Sequence, residues 1–148
     1  RFAGAADARL SPPLSEAMQS DKIDCVIICP SNPYVSINPV FAVPRMSEFL
    51  ASDNPVVAVS PIIGGAAVKG PAAKMMNELG VGPSVTTIAR HYQCIADGLV
   101  IDTADAALAE DLRKDGLSVL VTETVMRSDN IRKNLATETL AFARSLRG

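Results

Sequence analysis

Asp24-Cys-Val-Ile-Ile-Cys29, continuing into Pro30-Ser-Asn-Pro-Tyr-Val-Ser-Ile-Asn-Pro39, is the stretch that decides the fold. The first segment is an apolar run that reads as a buried strand. The second packs three prolines and four small polar residues into ten positions. A stiff polar loop at the end of a buried strand is where open α/β sheets hold ligands. The arrangement recurs downstream. Pro55-Val-Val-Ala-Val59 reads as a second strand and runs into Ser60-Pro-Ile-Ile-Gly-Gly-Ala-Ala-Val-Lys-Gly-Pro71.

Working outward, helical and strand patterns alternate. Helices are expected over Pro12–Ser20, Pro44–Ser52, Pro71–Leu79, Ser84–Tyr92, Ala104–Lys114 and from Ser128 or Asp129 to Leu146. Gly80 and Gly116 end two of them. Strands are expected over Asp24–Cys29, Pro55–Val59, Gly98–Ile101 and Leu117–Val121. Asn38 to Met46 reads as loop or a single helical turn. Strands separated by helical stretches argue for βαβ units. The expected fold is therefore α/β: a Rossmann-like parallel sheet with helices on both faces, in a single domain over residues 1–148.

Composition agrees. The 148 residues are 48% hydrophobic but only 4% aromatic, with no Trp. Such a core is built from Val, Ile, Leu and Ala, which suits a buried parallel sheet. Net charge is −2 with both signs mixed, and no basic stripe or stacking platform points to nucleic acid. No apolar run approaches the ~20 residues of a membrane span. No secretory signal is visible, so a cytoplasmic protein is the default. Cys25 and Cys29, on one strand, would sit ~13 Å apart at ~3.3 Å per residue. That is beyond the ~7 Å a disulfide spans. All three cysteines read as small buried hydrophobes rather than metal or redox groups.

Three groups of residues have the right chemistry for a site. Ser31, Asn32 and Ser36 can donate to phosphate oxygens or read a base edge, on a loop stiffened by Pro30, Pro33 and Pro39. The same residues also suit a purely structural Asx or Ser turn. Gly64, Gly65, Lys69 and Gly70 precede the helix that starts at Pro71. Backbone N–H groups, a cation and a helix end together make a phosphate cradle, although an ordinary βα loop with a surface lysine has the same spacing. Lys74 on that helix reads as solvated. Thr122, Thr124 and Met126 follow a strand and could line the crevice. Asp102 could cap a helix, meet a metal or touch a ribose, and Asp105 reads as a first-turn acid favoured by the helix dipole. His91, the only histidine, reads as structural before catalytic. No Ser-His-Asp set or His/Cys metal spacing is present.

These motifs carry a family resemblance. Pro30-Ser-Asn-Pro33 with Ser36-Ile37 and Pro39, and Ser60-Pro61 with Gly64-Gly65 and Lys69-Gly-Pro71, resemble the 2-phospho-L-lactate transferase (CofD-like) family of coenzyme F420 biosynthesis. Ile101-Asp102 with Asp105, and Thr122 with Thr124-Val-Met126, fit it too. The resemblance runs from about Phe2 to Leu146, with the motifs in the family's order. It implies the C-terminal half of a larger CofD-like fold. The Gly-rich, GGTGG-type turn of the family's N-terminal half has no counterpart in the chain. One departure stands out: Arg45 follows Pro44 where relatives usually carry Gly, so the start of the next helix is expected to be shaped differently.

The implied reaction moves a phosphorylated three-carbon acid, 2-phospho-L-lactate or an analogue, from a guanosine diphosphate carrier to the deazaflavin Fo, releasing GMP. By resemblance, Ser31, Asn32, Pro33, Ser36, Gly64, Gly65, Lys69 and Gly70 face the nucleotide and phosphates. Ser60, Pro61, Thr124 and Met126 form the acceptor pocket. The family implies Mg²⁺, with its acids mainly in the other half, so no metal ligand and no catalytic residue is assigned here. It also implies a homodimer. With one wall of the crevice belonging to the other half, the 148 residues alone are expected to be inactive. The alternative is a non-catalytic, nucleotide-sugar-binding regulator of the YvcK-like type. That family has a Gly-Pro-Gly-Ser-like first loop where this chain has Pro30-Ser-Asn-Pro33.

Overall fold

The computed structural model describes residues 2–20, 22–67 and 71–147. In chain order, α1 (Pro12–Met18) precedes β1 (Val26–Ile28). A π-helical turn (Pro33–Ile37) runs directly into α2 (Asn38–Phe41), and α3 (Met46–Leu50) leads to β2 (Val56–Val59). A hairpin of β3 (Ile62–Ile63) and β4 (Ala66–Ala67) comes next, then α4 (Ala72–Glu78) and α5 (Val85–Tyr92). β5 (Gly98–Asp102), a 3-10 segment (Thr103–Leu108), α6 (Ala109–Lys114), β6 (Ser118–Thr122) and α7 (Asp129–Ser145) complete the described residues.

The main sheet has the order β1-β2-β5-β6, and every pairing is parallel. Its centre is fully buried: all four residues of β2 and all five of β5 are inside. Side chains alternate across the pleat. Val56, Ala58, Leu99, Ile101 and Val119 face one side, with Met76 of α4, Ile88 and Tyr92 of α5 and Leu112 of α6. Val57, Val59 and Val100 face the other, with Leu135 and Ala143 of α7. Both faces are thus covered, as a Rossmann-like α/β fold requires. Asp97 anchors the amino end of the sheet. Its Oδ2 accepts from the Val56 N–H at 2.8 Å, and its own N–H donates to the Val56 carbonyl at 2.8 Å. Among the described residues no helix is long and apolar enough to cross a membrane.

Local chemistry explains most element ends. Ser84 Oγ accepts from the Thr87 N–H and Ser128 Oγ from the Ile131 N–H, so both act as helix N-caps. Gly80 and Gly116 take positive φ just past α4 and α6. His91 Nε2 lies 2.9 Å from Asn38 Oδ1 and its ring meets Tyr34 edge-on, so it ties α5 to the loop after β1.

Four expectations are to be set against the structure, and three of them need correction. The loop from Ser60 to Pro71 contains the β3–β4 hairpin, turned by Gly64 and Gly65 at φ 56° and 77°. Gly-Gly between Ile-Ile and Ala-Ala is a two-residue hairpin signal, and it outweighs a loop reading. Arg45 sits at φ 71°, the left-handed backbone a Gly would favour. Arg45 thus carries a Cβ at the start of α3 in a backbone conformation that glycine adopts freely. Cys29 and Cys94 are exposed rather than buried, while Cys25 is half-buried. Cys29 lies at the strand end, past the covered part of the sheet. The helix expected over Ala104–Lys114 begins as a 3-10 segment, whose start Asp102 and Asp105 tie to Thr124 and Gly64.

Candidate functional site: a cleft at the carboxyl ends of the strands

The carboxyl ends of β1, β2 and β6 and the start of α4 enclose a cleft of ≈ 420 Å³. Pro30, Ser31 and Asn32 form one wall, and Ser60 and Pro61 another. Thr124, Val125, Met126 and Arg127 form the third, with Ala72 at the base of α4. The strand order runs in one direction without reversal. The cleft therefore arises because all parallel strands end on one rim, not because this sheet contains a switch point.

The structure unites Ser31 and Asn32 with Ser60, Pro61, Thr124 and Met126, residues separated by more than ninety positions in the chain. It does not bring every expected residue to the cleft. Pro33 is buried beneath the loop, and Ser36 is exposed away from the lining. Gly64 and Gly65 turn the hairpin and also lie outside the lining. The Gly64 N–H donates to Asp105 Oδ2 at 2.9 Å. It meets an anion, as its spacing suggested, but that anion is the chain's own carboxylate. Asp105 is accordingly a tether rather than a mere dipole acid. Lys69 and Gly70 lie outside the described residues. Lys74 is exposed beside Glu78, at 3.8 Å.

Several polar groups on the lining are already committed. Asn32 Oδ1 accepts from the N–H groups of Tyr34 and Val35, at 2.9 and 3.4 Å, which caps the π-helical turn. Its Nδ2 lies 3.3 Å from Met75 Sδ. Ser60 is 2% exposed. Its hydroxyl donates to the Ile62 carbonyl and accepts from the Ile62 N–H, so it closes the turn into the hairpin. Thr124 gives its N–H and its hydroxyl proton to Asp102. Asn32, Ser60 and Thr124 therefore shape the cleft as much as they could touch a ligand.

Asp102 is the strut behind this arrangement. It is 5% exposed. Oδ1 accepts from the Ala104 N–H and the Thr103 hydroxyl, while Oδ2 takes both donors of Thr124. Burial pushes its carboxyl up, but these hydrogen bonds outweigh burial and hold it below its ordinary value. Asp102 is a helix cap that also clamps the end of β6.

Sequence reasoning overlooked Arg127. It follows Thr124-Val-Met126 directly, and its N–H closes a tight turn on the Val125 carbonyl at 2.7 Å. A cation immediately after a candidate wall is the available signal. Among the described residues no three His, Cys, Asp or Glu side chains converge to hold a metal ion. Asp102 and Asp105 spend oxygens on backbone and hydroxyl donors. These residues do not fit a Mg²⁺ cage of their own. A second hollow, ≈ 330 Å³, lies between α5 and α6 at the opposite end of the strands, with exposed Arg90, Gln93 and Asp115 on its rim.

A family model described as 2-phospho-L-lactate transferase CofD matches residues 1–140. A 2-phospho-L-lactate transferase of Methanococcoides burtonii is 43% identical over 133 residues, covering 90% of this chain and 42% of that relative. One from Methanocaldococcus jannaschii is 40% identical over 135 residues, with the same shares. A phosphoenolpyruvate transferase of Streptomyces griseus is 35% identical over 146 residues, covering 97% of this chain and 45% of the relative. The chain thus spans less than half the length of these curated relatives.

Proposed function

The chain belongs to the 2-phospho-L-lactate transferase CofD family, and we propose that it supplies the substrate-binding rim of such a transferase in coenzyme F420 biosynthesis. The observation that carries this reading is the single cleft shared by the β1 loop, Ser60-Pro61 and Thr124–Arg127. In the proposed reaction a hydroxyl oxygen of the deazaflavin Fo attacks the phosphorus that bears the three-carbon acid. A new P–O bond forms, the bond to the bridging pyrophosphate oxygen breaks, and GMP leaves with that oxygen while the hydroxyl proton is lost. Such chemistry needs positioning and charge neutralisation more than a covalent nucleophile.

Ser31 and the remaining amide hydrogen of Asn32 would meet the guanosine diphosphate side, on the loop that Pro33 and Ser36 continue. Pro61, Val125 and Met126 offer apolar walls for a flat deazaflavin ring, with Ser60 and Thr124 holding those walls in place. Lys69 and Gly70, with Gly65, remain proposed phosphate contacts. We place the protein in the cytoplasm as a homodimer. Any Mg²⁺ would take its protein ligands from the part of the longer relatives that this chain does not match, and the 148 residues alone would turn over no Fo. The acid remains a phosphorylated three-carbon acid, because relatives named for phospholactate and for phosphoenolpyruvate both match.

The test is direct. The longer polypeptide is mixed with Fo, the guanosine-linked donor and Mg²⁺, and GMP is followed against phosphodiester product. One GMP per product supports the reading. Binding of a uridine sugar nucleotide with no guanosine response would replace it with the regulator.

A further inference from the structure

The cleft contains one charged side chain that neither its motifs nor its hydrogen bonds account for. Among the described residues that line it, only Arg127 is charged. The neutral donors around it are largely spent: Ser60 closes on Ile62, and the Thr124 hydroxyl proton goes to Asp102. Arg127 is also uncommitted. Arg132, Arg144 and Arg147 each pair with an aspartate, whereas Arg127 makes no ion pair among the described residues. Its backbone is nonetheless anchored. Asp102 fixes Thr124 through two bonds, and the Arg127 N–H closes back on Val125 at 2.7 Å. Arg127 is exposed, on a braced strap that shares the cleft lining with Pro61, Val125 and Met126, so its guanidinium is open to an incoming anion. Its planar fork matches two oxygens of a carboxylate or phosphate.

We propose that Arg127 is the oxyanion-binding, specificity-determining side chain of this cleft. Its ligand is a two-oxygen anionic group of the donor, either the carboxylate of the three-carbon acid or a phosphate. This rests on the transferase reading for the identity of the donor, but not for the presence of an anion subsite.

The experiment uses the longer polypeptide, with wild type, Arg127→Gln and Arg127→Lys compared by calorimetry. The probes are phosphoenolpyruvate, which has a carboxylate, and inorganic pyrophosphate, which has none. Arg127→Gln is expected to weaken phosphoenolpyruvate, alone or together with pyrophosphate, about tenfold or more, as loss of a bidentate charged pair does, with Arg127→Lys recovering part. Loss for phosphoenolpyruvate alone identifies the carboxylate; loss for both identifies phosphate. Arg132→Gln, outside the cleft, should bind as wild type does. In turnover, the KM for the donor should rise in Arg127→Gln while the KM for Fo holds. The inference is overturned if Arg127→Gln binds both probes as wild type does, or if wild type binds neither. The two readings separate cleanly: anion binding through Arg127 without transfer to Fo would sink the transferase, and transfer with an unchanged donor KM in Arg127→Gln would sink the role of Arg127.

Discussion

Thr124 donates both its N–H and its hydroxyl proton to a single oxygen, Oδ2 of Asp102, at 2.8 and 2.9 Å. The pair joins the ends of neighbouring strands β5 and β6 and so sets the position of the cleft wall that follows. A buried carboxylate with four donors is stable only while ionised, and that makes the wall sensitive to acid.

Asp102 is held below its ordinary value of 3.8. The unfolded chain therefore binds this proton more readily than the folded one. The stabilisation is fully present above about pH 4 and is lost as pH falls through the folded value. Asp102→Asn should cost about 2 kcal/mol at neutral pH, as charged hydrogen bonds do. It should also flatten the acid limb of a urea-midpoint profile. An unchanged acid limb would show that Asp102 is not the titrating strut.

Gly98 begins β5 under α7. A Cβ there would lie 2.7 Å from Phe142 Cε1 and 2.9 Å from Leu146 Cδ1. Gly98→Ala should destabilise by about 1–3 kcal/mol, the usual cost of overpacking. Because the obstacles are the far ends of side chains, Phe142→Leu in the same chain should recover part of the loss. A denaturation double-mutant cycle checks this, and strict additivity would refute the contact.

Arg45 holds φ 71° with a Cβ present. Left-handed backbone costs a non-glycine residue about 1–2 kcal/mol, and glycine's greater freedom when unfolded offsets roughly 0.5–1 of that. Arg45→Gly should thus raise stability by about 0.5 kcal/mol. Arg45→Ala, which keeps the Cβ, should bring no such gain. Equal midpoints for Gly and Ala would count against a strained Arg45.

Thr139 is 2% exposed on α7, and its Oγ1 has no hydrogen-bond partner among the described residues. Burying an unpaired hydroxyl is unfavourable. Thr139→Val keeps the shape and removes the polar atom, so it should stabilise by about 1 kcal/mol. A lower melting temperature in the valine variant would mean that the hydroxyl has a partner.

The sheet was legible because its signals are local. Val-Val-Ala-Val at β2 and Gly-Leu-Val-Ile at β5 are continuous apolar runs between turn residues, and both became buried central strands. The caps at Ser84 and Ser128 and the stops at Gly80 and Gly116 were readable for the same reason. A phosphate cradle and a tight turn ask for the same glycines, so Gly64-Gly65 leads to the expectation of a loop where the structure has a hairpin. Ser31, Asn32, Pro61, Thr124 and Met126 were visible as residues that follow strands, a rule about position along the chain.

What the sequence determined by itself is the α/β architecture, through strand and helix periodicity that each segment carries on its own. Only the tertiary structure decided which polar groups remain free in the cleft. Hydrogen bonds such as Gly64 to Asp105 and Thr124 to Asp102 span 41 and 22 positions. A donor's availability depends on which acceptor folding brings within about 3 Å, and no local pattern records that.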